Sequence, residues 1–599
     1  MKDNKTFWLF FTFFITALYT TLFIWQGFDM PDEGYNLANQ LLITNLIPNN
    51  GVYENWLIWL SDYCGGLWLI LVGNSGLIAA RIGWVALMAF STSVLFLIIS
   101  RYFDPRLTTF FIICAVMIAI PGEYMVINYT NFPAFILFCA SGLLTVAYEI
   151  RKDKRNRSIL FSILSGVFLA FSVMARFPLI FSVILLFIPL AVSLLSTRKL
   201  DKRAFTIIPW SLLGFCIGVA FCFLILWGLG FIENYLDYFR DLFTDNYPTP
   251  KHNPSYLLGC LIKTGEKCLY RGLAIILLGL VSAMIVHYVI TLVHKYLANK
   301  STTSTFLLES RIGITSFVIL FLIFLVGIVG TSWTRFIHAA PGITLLVGIC
   351  ALIVRYRFMK NRNNKYDNKF NLLVIAFSVS FLPVLGTTTG FKQFNLLFLF
   401  PVSFLILYEC GEIIFKRMRV TKKTMQRLLI GFVCTLSIFS VIIKYSNPRY
   451  EYPLRWKLVY EITHKRMRHI YTTEGRADSM NDLLAQLDRV VKPGNIMLAY
   501  PNIPLLHFIT LTIPALGEPC PNFMIPEKLE AKLEEIWQDQ KKIPNVIVYS
   551  KVNMTDTNWG MKTGESKKTK PINETFFNQH KEEYALFWSN EDFEIYMLK

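Results

Sequence analysis

The fold is decided by residues 7–26, which read FWLFFTFFITALYTTLFIWQ, and by residues 27–35, which read GFDMPDEGY. The first stretch is apolar over about 20 residues, the length that crosses the hydrocarbon core of a bilayer. The second stretch places Asp29, Asp32 and Glu33 directly after that helix, with no lysine or arginine nearby. Ionised carboxylates are costly to desolvate at a membrane boundary, so this acidic cluster indicates a functional site.

The composition of the whole chain is typical of a polytopic membrane protein. Hydrophobic residues make up 54% of the 599 residues, charged residues only 16%, and the mean hydropathy is +0.47. The net charge of +18 does not indicate nucleic-acid binding, because the basic residues lie in short loops between apolar runs, as cytoplasmic loops do. The N-terminus resembles a signal peptide but lacks a small-residue cleavage site, which favours a retained first helix.

Counting apolar runs predicts a polytopic α-helical fold with about 13 spans, its N-terminus inside and its C-terminus outside. The spans cover roughly residues 7–26, 82–100, 107–121, 132–149, 158–174, 178–195, 206–230, 272–293, 312–330, 341–355, 370–386, 395–414 and 428–444. This alternation puts six basic loops on the cytoplasmic side, as the positive-inside rule requires. The acidic cluster then faces outward, in a long loop at 27–81 with segments expected to lie along the interface.

The chain divides into a membrane domain at 1–444 and an outward tail at 445–599. Helical and strand patterns alternate in the tail, with helices near 479–491, 503–510 and 526–541, strands near 495–500 and 545–549, and a hairpin near 585–597. These patterns predict a small α/β domain. A second outward loop at 231–271 carries Cys260 and Cys268, which form either a disulfide or two separate thiols.

A carboxylate at the membrane surface is well suited to act as a general base. It takes a proton from an acceptor hydroxyl while a lipid-borne phosphate leaves, and partial burial raises its pKa towards neutrality. The departing phosphate needs cationic partners. The candidates are the few basic residues expected in outward turns, namely Arg81, Arg176, Arg335 with the neighbouring His338, and Lys392.

A second acidic residue, Glu123, is expected in the next outward loop. Together with the first cluster it would bind the substrate or a divalent cation such as Mg²⁺ or Mn²⁺, since both take oxygen ligands. No cluster with zinc spacing and no phosphate-binding glycine motif is present. Each of these signals also has a structural interpretation: Glu123 as a helix cap, Arg81 and Arg335 as snorkelling anchors, His338 as a hydrogen-bonded core residue and Lys392 as part of a mobile turn.

The outward Asp32-Glu33-Gly34-Tyr35 after the first span resembles a motif of the GT-C class of membrane glycosyltransferases. The likeness is to the aminoarabinose-transferase and protein O-mannosyltransferase branch. It extends to the stretch at 72–81, which ends in Arg81 at the start of the second span, and to the outward α/β tail. It implies an inverting transfer of a sugar from a polyprenyl-phosphate donor to a lipid, glycan or protein acceptor. Asp32 would be the base, with Glu33 beside it and Tyr35 at the substrate.

The chain departs from that branch in one place. Many members have Lys-Pro-Pro-Leu-Tyr in the interfacial segment, where the lysine assists the donor phosphate, whereas this chain reads Glu54-Asn55-Trp56-Leu57-Ile58-Trp59. Phosphate binding must therefore fall to other residues. Two other functions stay open: an oligosaccharyltransferase or glycan ligase with a lipid-diphosphate donor, and a lipid-glycan transporter. The expected location is a cell membrane, the inner membrane of a bacterium, with the site facing the periplasm or the outside.

Overall fold

The computed structural model describes most of the chain. The described residues are 4–48, 53–119, 125–150, 154–197, 202–243, 254–297, 319–323, 325, 333–361, 367–410, 422–446, 454–524, 526–539, 542–555, 559–560 and 582–599. Among the sequence predictions, Glu123 and most of the span at 312–330 lie outside them.

The described part of the first 446 residues is almost entirely helical. Its helices are α1 (Lys5–Thr21), α2 (Asp32–Ile43), α3 (Trp59–Leu71), α4 (Leu77–Ile99), α5 (Pro105–Ala119), α6 (Asn131–Ile150), α7 (Arg155–Ala175), α8 (Ile188–Thr197, preceded by a 3₁₀ segment at Phe177–Phe187), α9 (Lys202–Gly228), α10 (Ile232–Phe243), α11 (Pro254–Leu297), α12 (Trp333–Asn361), α13 (Asn368–Phe381), α14 (Leu396–Cys410) and α15 (Lys422–Ser446).

Eight segments within the described residues are long and apolar enough to cross a membrane. They are Leu77–Ile99, Asn131–Ile150, Arg155–Ala175, Phe177–Leu194, Phe205–Gly228, Ser255–Ile285, His338–Lys360 and Lys422–Ser446. Shorter apolar helices, α3, α5, α13 and α14 among them, accompany these eight. An integral membrane protein of helical type is therefore the architecture, while the number of about 13 spans stays a prediction.

The segment at 231–271, predicted to be an outward loop, differs from that prediction. Residues 231–271 contain α10 and the first part of α11, which begins at Pro254 instead of near residue 272. Cys260 and Cys268 both lie on α11 and are free thiols. Eight residues along a helix are separated by about 12 Å, which is too far for a disulfide.

The first helix has a polar face inside the bundle and an apolar face on its surface. Thr12, Thr16 and Thr20 recur every four residues and are buried. The Thr12 hydroxyl lies 3.0 Å from that of Thr109 on α5, and the Thr16 hydroxyl accepts a bond from Thr92 on α4 at 3.1 Å. Their hydroxyls are thereby satisfied inside the bundle, and the opposite face of α1 exposes phenylalanine side chains, as lipid contact requires.

The tail forms an α/β unit, as its sequence pattern predicts. Short strands β1 (Tyr460–Glu461) and β2 (Tyr471–Thr472) pair with each other. They precede α16 (Glu474–Val490), β3 (Ile496–Tyr500), α17 (Leu505–Thr510), β4 (Ile513–Pro514), α18 (Pro526–Gln538), β5 (Val546–Ser550), β6 (Tyr584–Ser589) and β7 (Phe593–Leu598). The sheet has the strand order β4-β3-β5-β7-β6, parallel among β4, β3 and β5 and antiparallel beyond.

The tail is docked on the loop at 27–81. The backbone N–H of Gly27 donates to Tyr471 O at 2.8 Å, that of Leu77 to Arg466 O at 2.9 Å and that of Leu505 to Met30 O at 3.2 Å. One buried apolar cluster contains both loop side chains such as Leu37 and Leu41 and tail side chains such as Met480 and Leu505. The larger core of the tail is therefore shared with the loop that carries the acidic cluster.

The closest approach in this interface is at Gly34. A Cβ atom there would lie 2.1 Å from the backbone nitrogen of Leu505 and 2.5 Å from its Cα. We expect Gly34→Ala to push α17 away from α2 and to lower the free energy of unfolding by about 1–3 kcal/mol, the usual cost of overpacking. Thermal unfolding in detergent measures the loss.

The matched control is Gly259→Ala on α11, where an added Cβ meets nothing within 4 Å. We expect that variant to unfold at or slightly above the wild-type temperature, because alanine favours a helix over glycine. A Gly34→Ala protein as stable as the Gly259→Ala protein would contradict the tight contact.

Candidate active site

The acidic cluster forms the N-terminus of α2. Asp29 Oδ1 accepts a hydrogen bond from the backbone N–H of Asp32 at 3.1 Å, so Asp29 caps the first turn. Asp32 and Glu33 are the first two residues of the helix, where the helix dipole favours negative charge. Asp29 and Glu33 are buried, whereas Asp32 is only half-buried. Of the three, Asp32 is therefore the carboxylate most accessible to a substrate.

Glu33 and Arg81 form a buried ion pair. Arg81 Nε donates to Glu33 Oε1 at 2.8 Å and Nη2 donates to Oε2 at 2.7 Å, and both side chains are 1% exposed. Arg81 also donates to the carbonyl oxygens of Ile24 at 2.6 Å and Gly27 at 2.9 Å. The guanidinium thus joins the end of the first helix, the turn and α2.

This geometry bears on two sequence predictions. The sequence predicted Arg81 as a phosphate ligand and Glu33 as a catalytic residue, but in the structure the two side chains bind each other. Because bidentate pairs of this kind are geometrically specific, the arrangement favours a positioning role for both. The residues that they position are Asp29 and Asp32.

Another buried carboxyl group is that of Asp62 on α3, which acts electrostatically on Tyr35. Tyr53 donates its hydroxyl to Asp62 Oδ2 at 2.9 Å and Asn55 donates its amide at 3.1 Å. Asp62 is fully buried, and its Oδ1 has no hydrogen-bond partner within the described residues. Loss of water raises the pKa of Asp62 well above its ordinary value of 3.8. The sequence showed Asp62 only as a break in an apolar stretch, and that lone acid was the available signal.

Arg176 lies at the turn between α7 and the next segment and is buried. Its Nη2 donates to Pro383 O at 3.1 Å, and its guanidinium carbon lies 5.9 Å from the centre of the Tyr129 ring. No carboxylate pairs with it within the described residues. Desolvation lowers the pKa of Arg176 to about 10, which still leaves it a cation at neutral pH. Arg176 is therefore a buried positive charge without a carboxylate partner among the described residues.

A group of cations lies on α11 and in the turn before α14. The charges of Lys392, Arg271 and Lys267 all act on the His338 ring, whose Nδ1 lies 3.8 Å from Cys268 Sγ. Lys392 and Lys267 are exposed. Sequence reasoning missed Lys267 and Arg271 because both fell in a predicted loop. Arg335 lies one turn before His338 on α12, but its side chain is outside the described part of the structure.

The turns that carry these residues lie close to one another. Gly386, near Lys392, packs on Pro178, and Thr130 donates to Gln393 Oε1 at 3.3 Å. Tyr129 in turn acts electrostatically on Tyr35. Tyr35, Arg176 and the turn that carries Lys392 therefore lie in one region of the structure.

Among the described residues no group of three or more histidine, cysteine, aspartate or glutamate side chains could hold a metal ion.

The raised pKa of Asp62 predicts a pH dependence of stability. A carboxyl group whose pKa is higher in the folded protein stabilises the fold at low pH, and that contribution is lost as the pH rises through the folded pKa. We expect the unfolding temperature of the wild type to fall from pH 5 to pH 9 more steeply than that of Asp62→Asn, because asparagine stays neutral. Unfolding scans in detergent at several pH values measure both slopes, with the exposed Asp478→Asn as control. Equal slopes for all three proteins would contradict a buried, neutral Asp62.

Comparison with known proteins gives structural likenesses only. No family model and no curated protein matches the chain. Among solved structures, ArnT from Cupriavidus metallidurans bound to undecaprenyl phosphate is 11% identical, with 100% of this chain and 98% of that chain covered and a TM-score of 0.43. The oligosaccharyltransferase AglB from Archaeoglobus fulgidus, in complex with an inhibitory peptide and a dolichol-phosphate, is 10% identical, with coverages of 96% and 76% and a TM-score of 0.46.

A second structure of the Archaeoglobus fulgidus oligosaccharyltransferase, in the apo form, is 11% identical, with coverages of 99% and 80% and a TM-score of 0.48. These proteins belong to the GT-C class that the sequence motif resembles. Since these TM-scores are below 0.5, the function has to be inferred from the site itself.

Proposed function

We propose that the protein is a GT-C-type glycosyltransferase that moves a sugar from a polyprenyl-phosphate donor to an extracytoplasmic lipid, glycan or protein acceptor. The observation that carries the proposal is the placement of Asp32. It is a half-buried carboxylate in the first turn of α2, next to Glu33 of the buried Glu33–Arg81 pair and in the loop on which the tail is docked. Such a group can meet an acceptor hydroxyl and a membrane-bound donor at once.

In the proposed reaction Asp32 accepts the proton of the acceptor hydroxyl. The acceptor oxygen attacks the anomeric carbon in line, the bond between that carbon and the phosphate oxygen breaks, and the configuration inverts. Negative charge develops on the departing polyprenyl phosphate, and Arg176 and the cations around Lys392 stabilise it. Arg335 and Glu123 remain candidates for the same site. A divalent cation such as Mg²⁺ or Mn²⁺ is also a candidate for this site.

The test is transfer by the purified protein in liposomes. The polyprenyl-phosphate-sugar fraction of the host membranes serves as donor and the envelope lipids, glycans and proteins of the host serve as acceptors, with mass spectrometry of both products. We expect free polyprenyl monophosphate together with a glycosylated acceptor. Release of a diphosphate would instead indicate an oligosaccharyltransferase, and movement of a lipid-linked sugar across the bilayer without any covalent product would indicate a transporter.

A further inference from the structure

One helical turn beyond Asp32, the loop at 27–81 meets the tail, and Gly34, next to Tyr35, packs against the backbone of Leu505. The polar residues Tyr35, Asp62 and Glu518 at this junction are named the polar compartment. Tyr35 is three residues after Asp32 on α2, so the two side chains share a face of the helix. The carboxyl groups of Asp62 on α3 and of Glu518 in the tail both act on the Tyr35 hydroxyl, and Glu518 also acts on Asp62. Three separate segments of the chain therefore bring polar groups to one place.

Lys532 on α18 fixes the two sides of this compartment relative to each other. Its ammonium group bonds to the carboxylate of Glu54 and to Leu516 O, the latter at 3.1 Å. Glu54 lies between Tyr53 and Asn55, the two residues that hold Asp62, and Leu516 comes two residues before Glu518. A single cation thus ties the tail segment to the loop segment.

Glu518 is also fixed from its own side. Its Oε1 accepts the backbone N–H of Cys520 at 3.1 Å, and the Cys520 thiol lies 2.9 Å from Asn502 Oδ1. Glu518 and Tyr35 are partly exposed, whereas Asp62 is fully buried. Glu518 and Tyr35 are therefore the members that a bound molecule can touch.

We propose that Tyr35 and Glu518 form a subsite that binds the hydroxyl groups of a saccharide, so that the tail takes part in substrate recognition. The proposal rests on the proposed function, which places the reacting centre at Asp32. A carboxylate accepts strong hydrogen bonds from hydroxyl groups, and a phenol both donates and accepts. An anion is disfavoured there because the accessible side chains are a carboxylate and a phenol, those of Glu518 and Tyr35. The phosphate of a donor is accordingly expected on the side of Arg176, and the sugar on the side of Glu518.

Both the donor sugar and a glycan acceptor carry hydroxyl groups. A kinetic test shows which of the two substrates the subsite binds. Glu518→Gln is assayed in liposomes while the polyprenyl-phosphate-sugar fraction and the acceptor fraction are titrated separately. We expect the KM of one of them to rise about ten- to hundredfold, the effect of weakening a hydrogen bond to a charged group, with kcat little changed. A rise in the donor KM assigns the subsite to the donor sugar, and a rise in the acceptor KM assigns it to the acceptor. The Kd of sugar-free undecaprenyl phosphate should stay the same.

The control is Glu535→Gln, which removes an exposed carboxylate from α18. Tyr35→Phe, which deletes one hydroxyl, is the second variant if Glu518→Gln does not fold, and it should raise the same KM. Unchanged KM values in the folded variants, while Asp32→Asn is inactive, would overturn the subsite and leave the proposed function intact. Failure of the wild type to transfer sugar from any lipid-linked donor would instead overturn the proposed function.

Discussion

Asp32→Asn is expected to lower the transfer rate by about 10²–10⁴-fold, the usual contribution of a general base. Asparagine keeps the size of the side chain and the hydrogen bond from the Asp32 backbone to Asp29, which the substitution does not touch. It removes only the ability to accept a proton. The expected loss is therefore in kcat, measured as sugar transferred per folded protein in liposomes, with little change in the Kd of undecaprenyl phosphate.

Folding has to be measured alongside, since an acidic residue in the first turn of a helix stabilises it by about 0.3–1 kcal/mol. The matched control is Asp478→Asn, which neutralises an exposed carboxylate at the start of α16. We expect wild-type transfer from the control. Asp32→Asn protein that folds normally and still transfers sugar at the wild-type rate would rule out Asp32 as the base.

The sequence located the acidic cluster because a polar run after an apolar helix is visible without any structure. It also predicted the helices and strands of the tail, where periodicity and turn residues agree. The Glu33–Arg81 pair was not predictable, because its partners are 48 residues apart in the sequence and meet only in the folded chain. In the sequence, an arginine at the start of an apolar span, such as Arg81, looks the same whether it binds a phosphate or a carboxylate.

The core that the tail shares with the loop at 27–81 could not be predicted either, for a related reason. The apolar residues of α2, such as Leu37 and Leu41, suit a membrane surface as well as a protein partner. The sequence therefore predicted an interfacial segment and an independent tail. Gly34 distinguishes a protein partner of α2 from a membrane surface, since only close contact with another backbone requires a residue without a Cβ there.

Arg81→Met is expected to have the largest effect on stability. It leaves the Glu33 carboxylate buried without its partner, and breaking a buried pair in this way costs about 3–5 kcal/mol. The carbonyl groups of Ile24 and Gly27 lose their donors at the same time. We expect a strongly lowered unfolding temperature and, in the fraction that folds, reduced transfer, because the turn that holds Asp32 is no longer fixed.

The double variant Glu33→Gln with Arg81→Met should unfold at a higher temperature than Arg81→Met alone, because it no longer buries an unpaired charge. Arg355 and Asp367 provide the control, since their buried pair, joined at 2.7 Å, links α12 to α13 away from the acidic cluster. Arg355→Met should also destabilise the protein, yet the folded fraction should transfer sugar at the wild-type rate. Equal activity per folded molecule in Arg81→Met and Arg355→Met would show that the Glu33–Arg81 pair stabilises the fold without positioning Asp32.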